Sequence, residues 1–288
     1  MILSMTGFAA ASSELPGISL AVELRSVNHR YLDVTLKLPE ELRMLETPLR
    51  ERIAGVQKRG KVECRVSLAR TVGGAGTIAI NAERVQQLAE AAAAVARAIP
   101  GTPGLTTADV LRWPGVMVDA TISAEALAEQ VDALVQQALA ELTAARAREG
   151  AKLRDVLEAR CGDIETQVAR VAPRIPAIHA AYVAKLGARL ADAGVDAHDD
   201  RLKQELALFA TKIDVAEEVA RLVTHVGEVR RVLAQGGSAG KRLDFLAQEL
   251  NREANTLGSK SVDAELSQVS LELKVLIEQM REQVQNLE

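Results

Sequence analysis

Two stretches of alternating apolar and polar residues near the amino terminus predict β-strands. Apolar side chains occupy every second position from Ile18 to Leu24 and again from Leu32 to Leu38. This spacing is typical of half-buried strands, because successive side chains of a strand point to opposite faces. The polar segment Ser26-Val27-Asn28 lies between the two stretches and predicts the turn of a hairpin. Residues 61–68 alternate in the same way and predict another strand.

Elsewhere the apolar residues recur every three or four positions, which is the spacing of a helix. Residues 40–56 and 81–98 each predict one helix, with loops at the Gly-rich segment 71–76 and at 100–104. Residues 125–171 predict one helix or two, and a continuous helix would reach roughly 70 Å at 1.5 Å per residue. Breaks after residue 121 are expected at glycines and prolines: Gly150, Gly162, Pro173, Pro176, Gly194 and Gly236-Gly237.

The last segment predicts a packing seam, within the chain or between subunits. Its apolar residues keep a three-to-four-residue rhythm: Leu266, Val269, Leu273, Leu276, Met280 and Leu287. Aromatic residues make up 2% and hydrophobic residues 48% of the 288 residues, so the core must be built from aliphatic side chains, which suit helix packing.

The predicted fold class is α+β, with a predominantly α-helical second part that contains long helices. Residues 1–120 form a small amino-terminal α+β domain, made of the strand hairpin and helices. Residues 121–200 form a long helical middle, and residues 201–288 form a carboxy-terminal helical domain.

Charge and cysteine content limit the partners. The formal net charge is -4, so a nucleic-acid site would be a local basic surface, for which residues 1–70 offer 11 Lys/Arg against 8 acids. Cys64 and Cys161 lie far apart and form no CxxC pair, which excludes a zinc knuckle. With no secretion signal and no run of 18 apolar residues, the expected location is the cytoplasm, without membrane contact.

Two neighbouring segments are unusually rich in ionisable residues. In the first, Asp214, Glu218, Arg221 and His225 follow at intervals of four, three and four, which puts them on one helical stripe. A solvated face with ion pairs would show the same pattern, so the pattern alone does not identify a site.

The second segment, residues 240–260, has an apolar stripe with a polar flank on each side. One flank carries Asp244, Gln248, Arg252 and Asn255, and the other carries Arg242, Glu249 and Glu253. Such a density of Asn, Arg and Gln suits contacts to phosphates and bases.

These residue types fit the cleavage of a phosphodiester bond. A divalent ion, Mn²⁺ or Mg²⁺, prefers carboxylate oxygen, so the candidate metal ligands are Glu217, Glu218, Asp244, Glu249 and Glu253. The candidate catalytic residues are His225, Glu218, Glu249 and Glu253, with His225 as general acid or base. The candidate RNA-binding residues here are Arg221, Lys241, Arg242, Arg252, Asn255 and Lys260. The alternative needs no metal: a His and a Lys activate the RNA 2′-OH and yield a cyclic phosphate.

The predicted hairpin turn has two interpretations. Arg25, Asn28, His29 and Arg30 are ordinary turn residues in one. In the other, these four residues form an RNA-contacting rim with Arg43, Arg59 and Lys61, and Arg25, Asn28, Arg30, Arg59 and Lys61 are the RNA-binding candidates. RNA binding would then lean on phosphate contacts and weaken with salt.

Polar strings at both ends of the chain resemble the YicC/YloC family. At the amino end they are residues 4–8 (SMTGF), 25–32 (RSVNHRYL) and 59–64 (RGKVEC). Towards the carboxyl end they are residues 201–205, 217–225, 241–256 and 281–288. The resemblance implies a metal-dependent endoribonuclease that cuts single-stranded RNA, has a role in small-RNA turnover and forms a ring-like homo-oligomer, a hexamer.

Three hypotheses follow. The first is the metal-dependent endoribonuclease. The second is a non-catalytic RNA-binding adaptor that delivers small RNAs to another nuclease, such as an RNA-degrading exonuclease. The third is an oligomeric helical scaffold without an RNA role.

Overall fold

A computed structural model describes residues 1–70, 79–118, 123–192 and 211–288, together with Gln204 and Ala207. The predicted Gly-rich loop at 71–76, the predicted break at Gly194 and all of the string 201–205 except Gln204 lie outside the described residues. The described part confirms the α+β class: a four-stranded sheet comes first and a long helical region follows. The boundaries at 120 and 200 stay predictions.

The first sheet has four strands in the order β1-β2-β4-β3. They are β1 (Gly7–Leu15), β2 (Ile18–Val27), β3 (Leu32–Lys37) and β4 (Gly60–Arg70). The pairs β1–β2 and β2–β4 are antiparallel, and β3–β4 is parallel.

The predicted hairpin between β2 and β3 is wrong, because β4 lies between them. Cys64 of β4 is opposite Leu24 of β2 on one side and Leu36 of β3 on the other. A 3-10 helix at Glu40–Leu45 and helix α1 (Glu46–Val56) carry the chain from β3 back to β4, as a parallel pair requires. Alternation identifies the buried face of a strand, but any strand with a matching face can be its neighbour.

A second sheet has two strands, and two helices lie between these strands in the chain. Strand β5 (Ala79–Ile80) pairs antiparallel with β6 (Met117–Val118). Between them are α2 (Ala82–Ala98) and α3 (Thr107–Arg112). The helix predicted at 81–98 is confirmed, and the Asn81 side chain caps it by accepting from Arg84 N at 3.0 Å.

Residues Ala124–Val171 form one continuous helix, α4, of 48 residues and about 72 Å. The predicted breaks at Gly150 and Gly162 are therefore wrong. At Gly150 a Cβ would lie 2.3 Å from Ile2 O, so the glycine allows the amino-terminal segment to lie against the helix. The break comes at a 3-10 turn, Ala172–Arg174, that contains Pro173 and is followed by α5 (Ile175–Asp192).

Three long helices form the carboxy-terminal part: α6 (Ala216–Gln235), α7 (Gly240–Lys260) and α8 (Ala264–Val284). Gly236-Gly237 separates α6 from α7 as predicted, with both glycines at positive φ. The apolar rhythm of the last segment packs inside this chain, since Leu266, Leu273 and Met280 are buried against the other helices.

Helix α4 is shared between two hydrophobic cores. Its first half, including Val135 and Leu142, packs on the sheet and α1. Its second half, including Leu157 and Ile164, packs on α6, α7 and α8. No helix of the described ranges combines the length and the apolar character that crossing a bilayer demands.

A buried arginine joins the two cores. Arg146 is 2% exposed, and its Nε donates to Ser4 O at 2.5 Å. Its two terminal nitrogens donate to Gln57 Oε1 and Glu288 Oε2. Both ends of the described chain and the end of α1 therefore meet at one guanidinium. Sequence analysis missed it, although Arg146 occupies an apolar position of α4, four residues after Leu142.

Candidate functional site

The charged residues of α6 and α7 meet along the line where these helices pack. Buried apolar stripes hold the helices together, with Leu222 and Val226 of α6 against Leu243 and Leu250 of α7. The flanking polar residues are thereby brought to a common edge, here called the α6–α7 seam. It consists of Glu217, Glu218, Arg221, His225 and Glu228 from α6 and Arg242, Glu249, Glu253 and Lys260 from α7.

At the centre of the seam, three side chains converge. His225, Glu249 and Glu253 each offer one ligand atom, and these atoms lie within 4.8 Å of one another. Glu253 is 3% exposed, while His225 and Glu249 are half-buried. Around an octahedral ion with bonds of about 2.1 Å, adjacent donors are about 3 Å apart and opposite donors about 4.2 Å. An ion bound here would draw the three ligand atoms closer together than 4.8 Å. The two carboxylates suit Mn²⁺ or Mg²⁺, whereas imidazole suits transition metals such as Zn²⁺ and Fe²⁺.

Arg221 links the centre of the seam to solvent. Its Nη1 lies 3.4 Å from Glu253 Oε1, and its Nη2 donates to Glu217 Oε1. The hydrogen bond to Glu217, followed by the one to Glu253, raises the pKa of Arg221 above its ordinary value. Its side chain is half-exposed, so the guanidinium can hold Glu253 in place and still approach a phosphate.

Glu218 and Lys260 form a pair next to this centre. Lys260 Nζ donates to Glu218 Oε1 at 2.8 Å and to the backbone oxygen of Asp214 at 3.0 Å. Glu218 is 5% exposed, and its second oxygen is buried without a hydrogen-bond partner among the described residues. Glu218 is not one of the three residues whose ligand atoms converge. Its contacts place it beside Lys260 instead.

The predicted stripe through Asp214 is wrong at that residue, because α6 begins at Ala216. The Asp214 carboxylate accepts from Ala216 N at 2.9 Å, a local bond that competes with helix formation. The remainder of the stripe, Glu218, Arg221 and His225, lies along the seam as predicted.

The other end of the seam is an ion-pair cluster around Glu228. Glu228 Oε1 accepts from Arg231 Nη2 and Arg242 Nη2, each at 2.6 Å. The hydrogen bonds and charges of Arg231, with those of Arg242, lower the pKa of Glu228 to about 2. Arg231 was missed by sequence analysis; its spacing of three from Glu228 was the available indication. Lys241 precedes this cluster and is exposed.

Several predicted site residues lie away from the centre. Asp244 faces α8, where it accepts from Arg281 Nε at 3.3 Å, and so it is not part of the central cluster. Arg252 and Asn255 are exposed on α7; Arg252 lies 3.9 Å from Glu249, and Asn255 donates to Asn251 at 2.7 Å.

The amino-terminal candidates lie on or beside the sheet. Arg25, Arg30 and Lys61 are exposed. Asn28 Nδ2 donates to Gln285 O at 2.7 Å, after the end of α8, and Arg59 Nε donates to His29 O at 3.1 Å. Arg43, on the 3-10 helix, pairs with Glu40 at 2.9 Å. Asn28 and Arg59 therefore brace the chain, whereas Arg25, Arg30 and Lys61 expose their charge to solvent.

Comparisons with known proteins agree with this arrangement of two halves. Residues 2–155 match the family "Endoribonuclease YicC-like, N-terminal region", and residues 171–288 match "Endoribonuclease YicC-like, C-terminal". A protein of Haemophilus influenzae named "Probable endoribonuclease YicC" is 39% identical over 288 residues, which covers 100% of both chains. A protein of Clostridioides difficile with the same name is 28% identical over 295 residues, again covering 100% of both.

Proposed function

Since this chain belongs to the YicC-like endoribonuclease family, we propose that it is a metal-dependent endoribonuclease that cuts single-stranded RNA at the α6–α7 seam and acts in small-RNA turnover. We infer the location of the site from the convergence of His225, Glu249 and Glu253. Perturbed or buried ionisable groups that meet at one place are typical of functional sites.

The three converging residues would hold the divalent ion, Mn²⁺ or Mg²⁺, through the two carboxylates and the imidazole. A divalent ion there would supply positive charge against the phosphate oxygens as the bond to phosphorus breaks. Glu253 is held by Arg221, so its carboxylate is oriented before any ion or substrate arrives. The exposed part of the Arg221 guanidinium and the exposed Arg252 lie next to these acids and can bind the phosphates on either side.

The adaptor remains a second candidate, and a specific observation favours it. Glu253 already accepts from Arg221, and Glu249 lies 3.9 Å from Arg252, so each central acid has a basic neighbour without an ion. An adaptor would bind RNA at the same place without cutting it.

The test compares two carboxylate variants with a matched control. The double variant Glu249→Gln/Glu253→Gln keeps the shape of the site but removes both negative charges. Glu282→Gln is the control, because Glu282 is an exposed glutamate on α8, outside the seam. Labelled single-stranded RNA is incubated with Mn²⁺ or with EDTA, and Mn²⁺ binding is measured separately by calorimetry.

The nuclease proposal expects the double variant to lose Mn²⁺ binding and at least about 100-fold in cleavage rate, because its ion would lose two ligands. The control should cut within a few-fold of the parent. The double variant is purified in the same way as the parent, so any contaminating nuclease would appear as cleavage by the double variant. Unchanged cleavage in the double variant would remove the seam from the site. Binding without cutting by the parent protein would establish the adaptor.

A further inference from the structure

An aromatic and basic strip crosses the outer face of the four-stranded sheet. We infer that this strip binds single-stranded RNA, outside the seam, as a capture surface for the substrate; the identity of the polymer rests on the proposed function. The outer-face strip consists of Phe8, Arg25, Lys61, Arg59, Arg30 and Tyr31.

The face itself follows from the strand geometry. Leu24, Val62 and Cys64 are fully buried in the core formed with α4. The residues next to them along each strand therefore point away from α4. Arg25 and Lys61 occupy these alternate positions and are exposed. From β1 to β3 the face is about 14 Å wide, because neighbouring strands are about 4.8 Å apart.

Phe8 and Arg25 form the first contact point of the strip. They are directly opposite each other in the β1–β2 register, and Phe8 is 58% exposed. With Glu23, Glu63 and Arg65 they line a shallow depression. An exposed ring beside a guanidinium can stack a base and bind the adjoining phosphate.

Two acids line the depression, the exposed Glu23 and the engaged Glu63. Glu63 accepts from Lys37 Nζ at 2.8 Å and lies 3.8 Å from Arg65. The hydrogen bond from Lys37 is the main cause that lowers the pKa of Glu63. Arg25 and Lys61 form no hydrogen bond or ion pair within the described ranges, and the charge of Arg25 contributes to lowering the pKa of Glu63. Both side chains are exposed, so a phosphate can reach them.

Tyr31 and Arg30 form the second contact point, beside the opposite edge of the sheet. Tyr31 is 64% exposed, and the guanidinium carbon of Arg30 lies 5.3 Å from the centre of its ring. His29 Nδ1 lies 2.9 Å from Tyr31 O, and Arg59 donates to His29 O. The loop that carries Tyr31 is therefore braced before any ligand binds.

Single-stranded RNA fits the strip better than a second copy of the chain does. The strip holds two of the four exposed aromatic rings of the described residues, Phe8 and Tyr31, and places them among four cations; the other two rings are Trp113 and Phe245. The centre of a protein interface is depleted of charge, whereas surfaces that bind single strands combine stacking rings with cations along the backbone.

The experiment measures binding without cleavage, by fluorescence anisotropy of labelled single-stranded RNA in EDTA. The variants are Phe8→Ala, Tyr31→Ala, their double and Arg25→Gln, all of them changes at exposed side chains. Arg97→Gln is the matched control, because Arg97 is an exposed arginine on α2, outside the four-stranded sheet. Circular dichroism checks the fold, and light scattering records the oligomeric state.

Each aromatic variant should weaken binding about tenfold, and the double more. Arg25→Gln should lower the slope of log affinity against log salt by about 0.7. The control should bind like the parent. The inference fails if the double binds RNA as the parent does, or if the double changes the oligomeric state instead. Loss of binding in the double while Glu249→Gln/Glu253→Gln still cleaves would uphold the strip and reject the seam.

Discussion

The α6–α7 seam and the outer-face strip use similar residue types in opposite ways. In the seam, Glu218 and Glu253 are nearly inaccessible to water and are held by Lys260 and Arg221. On the strip every cation is at least partly exposed. Burying a carboxylate costs several kcal/mol before its partner compensates, so such an arrangement indicates a site that needs fixed charges. An exposed strip costs little and suits capture of a flexible polymer.

The two regions belong to different hydrophobic cores, and α4 runs through both. The proposed capture and cleavage of RNA therefore take place on separate surfaces. Their relative position depends on α4 and on Arg146, the buried arginine that joins the two cores. Stability should depend most on Arg146, less on burial within the seam, and least on the exposed end of the seam.

The largest effect is expected at the join. Arg146→Ala should lower the free energy of unfolding by about 3–5 kcal/mol, because it leaves the Glu288 carboxylate and buried acceptors at Ser4 and Gln57 without their donor. Urea unfolding followed by circular dichroism measures the change. Arg154→Ala on the same helix is the control, since Arg154 is exposed and pairs with a neighbouring acid; it should cost under about 1 kcal/mol. Equal losses for the two variants would refute a joining role for Arg146.

Within the seam, burial should separate two adjacent glutamates. Glu218→Gln removes the charge that compensates Lys260 in a setting where both side chains are less than a third exposed, and it should cost about 1–3 kcal/mol. Glu217→Gln removes an exposed partner of Arg221 and should cost under about 1 kcal/mol. Urea midpoints measured in one buffer give the comparison. If Glu217→Gln proves the more costly of the two, burial does not govern the energetics of the seam.

The smallest effect is expected at Glu228, whose pKa is lowered from 4.5 to about 2 by Arg231 and Arg242. A carboxyl with a lowered native pKa binds its proton more readily in the unfolded chain. Its stabilising contribution is therefore complete above pH 4.5 and declines as the pH falls towards 2. The melting temperature of the parent minus that of Glu228→Gln should be constant from pH 7 to about 5.5 and shrink below pH 4.5. Glu282→Gln, an exposed site on α8, is the control. A difference that grows on acidification would contradict this sign.

Much of the local structure could be read from periodicity. Spacing located three strands, the helices at 40–56, 81–98 and 125–171, and the stripe of Glu218, Arg221 and His225. It also placed Glu249 and Glu253 on one flank of α7, the flank that faces α6. It missed Arg146, because one charged residue among apolar positions looks like an interruption of the stripe.

Periodicity did not show which helix or strand packs against which. Asp244 belongs to the opposite flank of α7 and meets α8, although its residue type made it a reasonable metal ligand. In the same way, β2 and β3 have the expected buried faces but share β4 as their neighbour.

The sequence by itself determined which face of each helix and strand is apolar, because repeats of 3.6 and 2 residues arise from local backbone geometry. The tertiary structure alone decided which polar flanks meet, and so which acids surround His225. That choice depends on contacts between residues far apart in the chain, where packing and connectivity select one neighbour among several compatible faces.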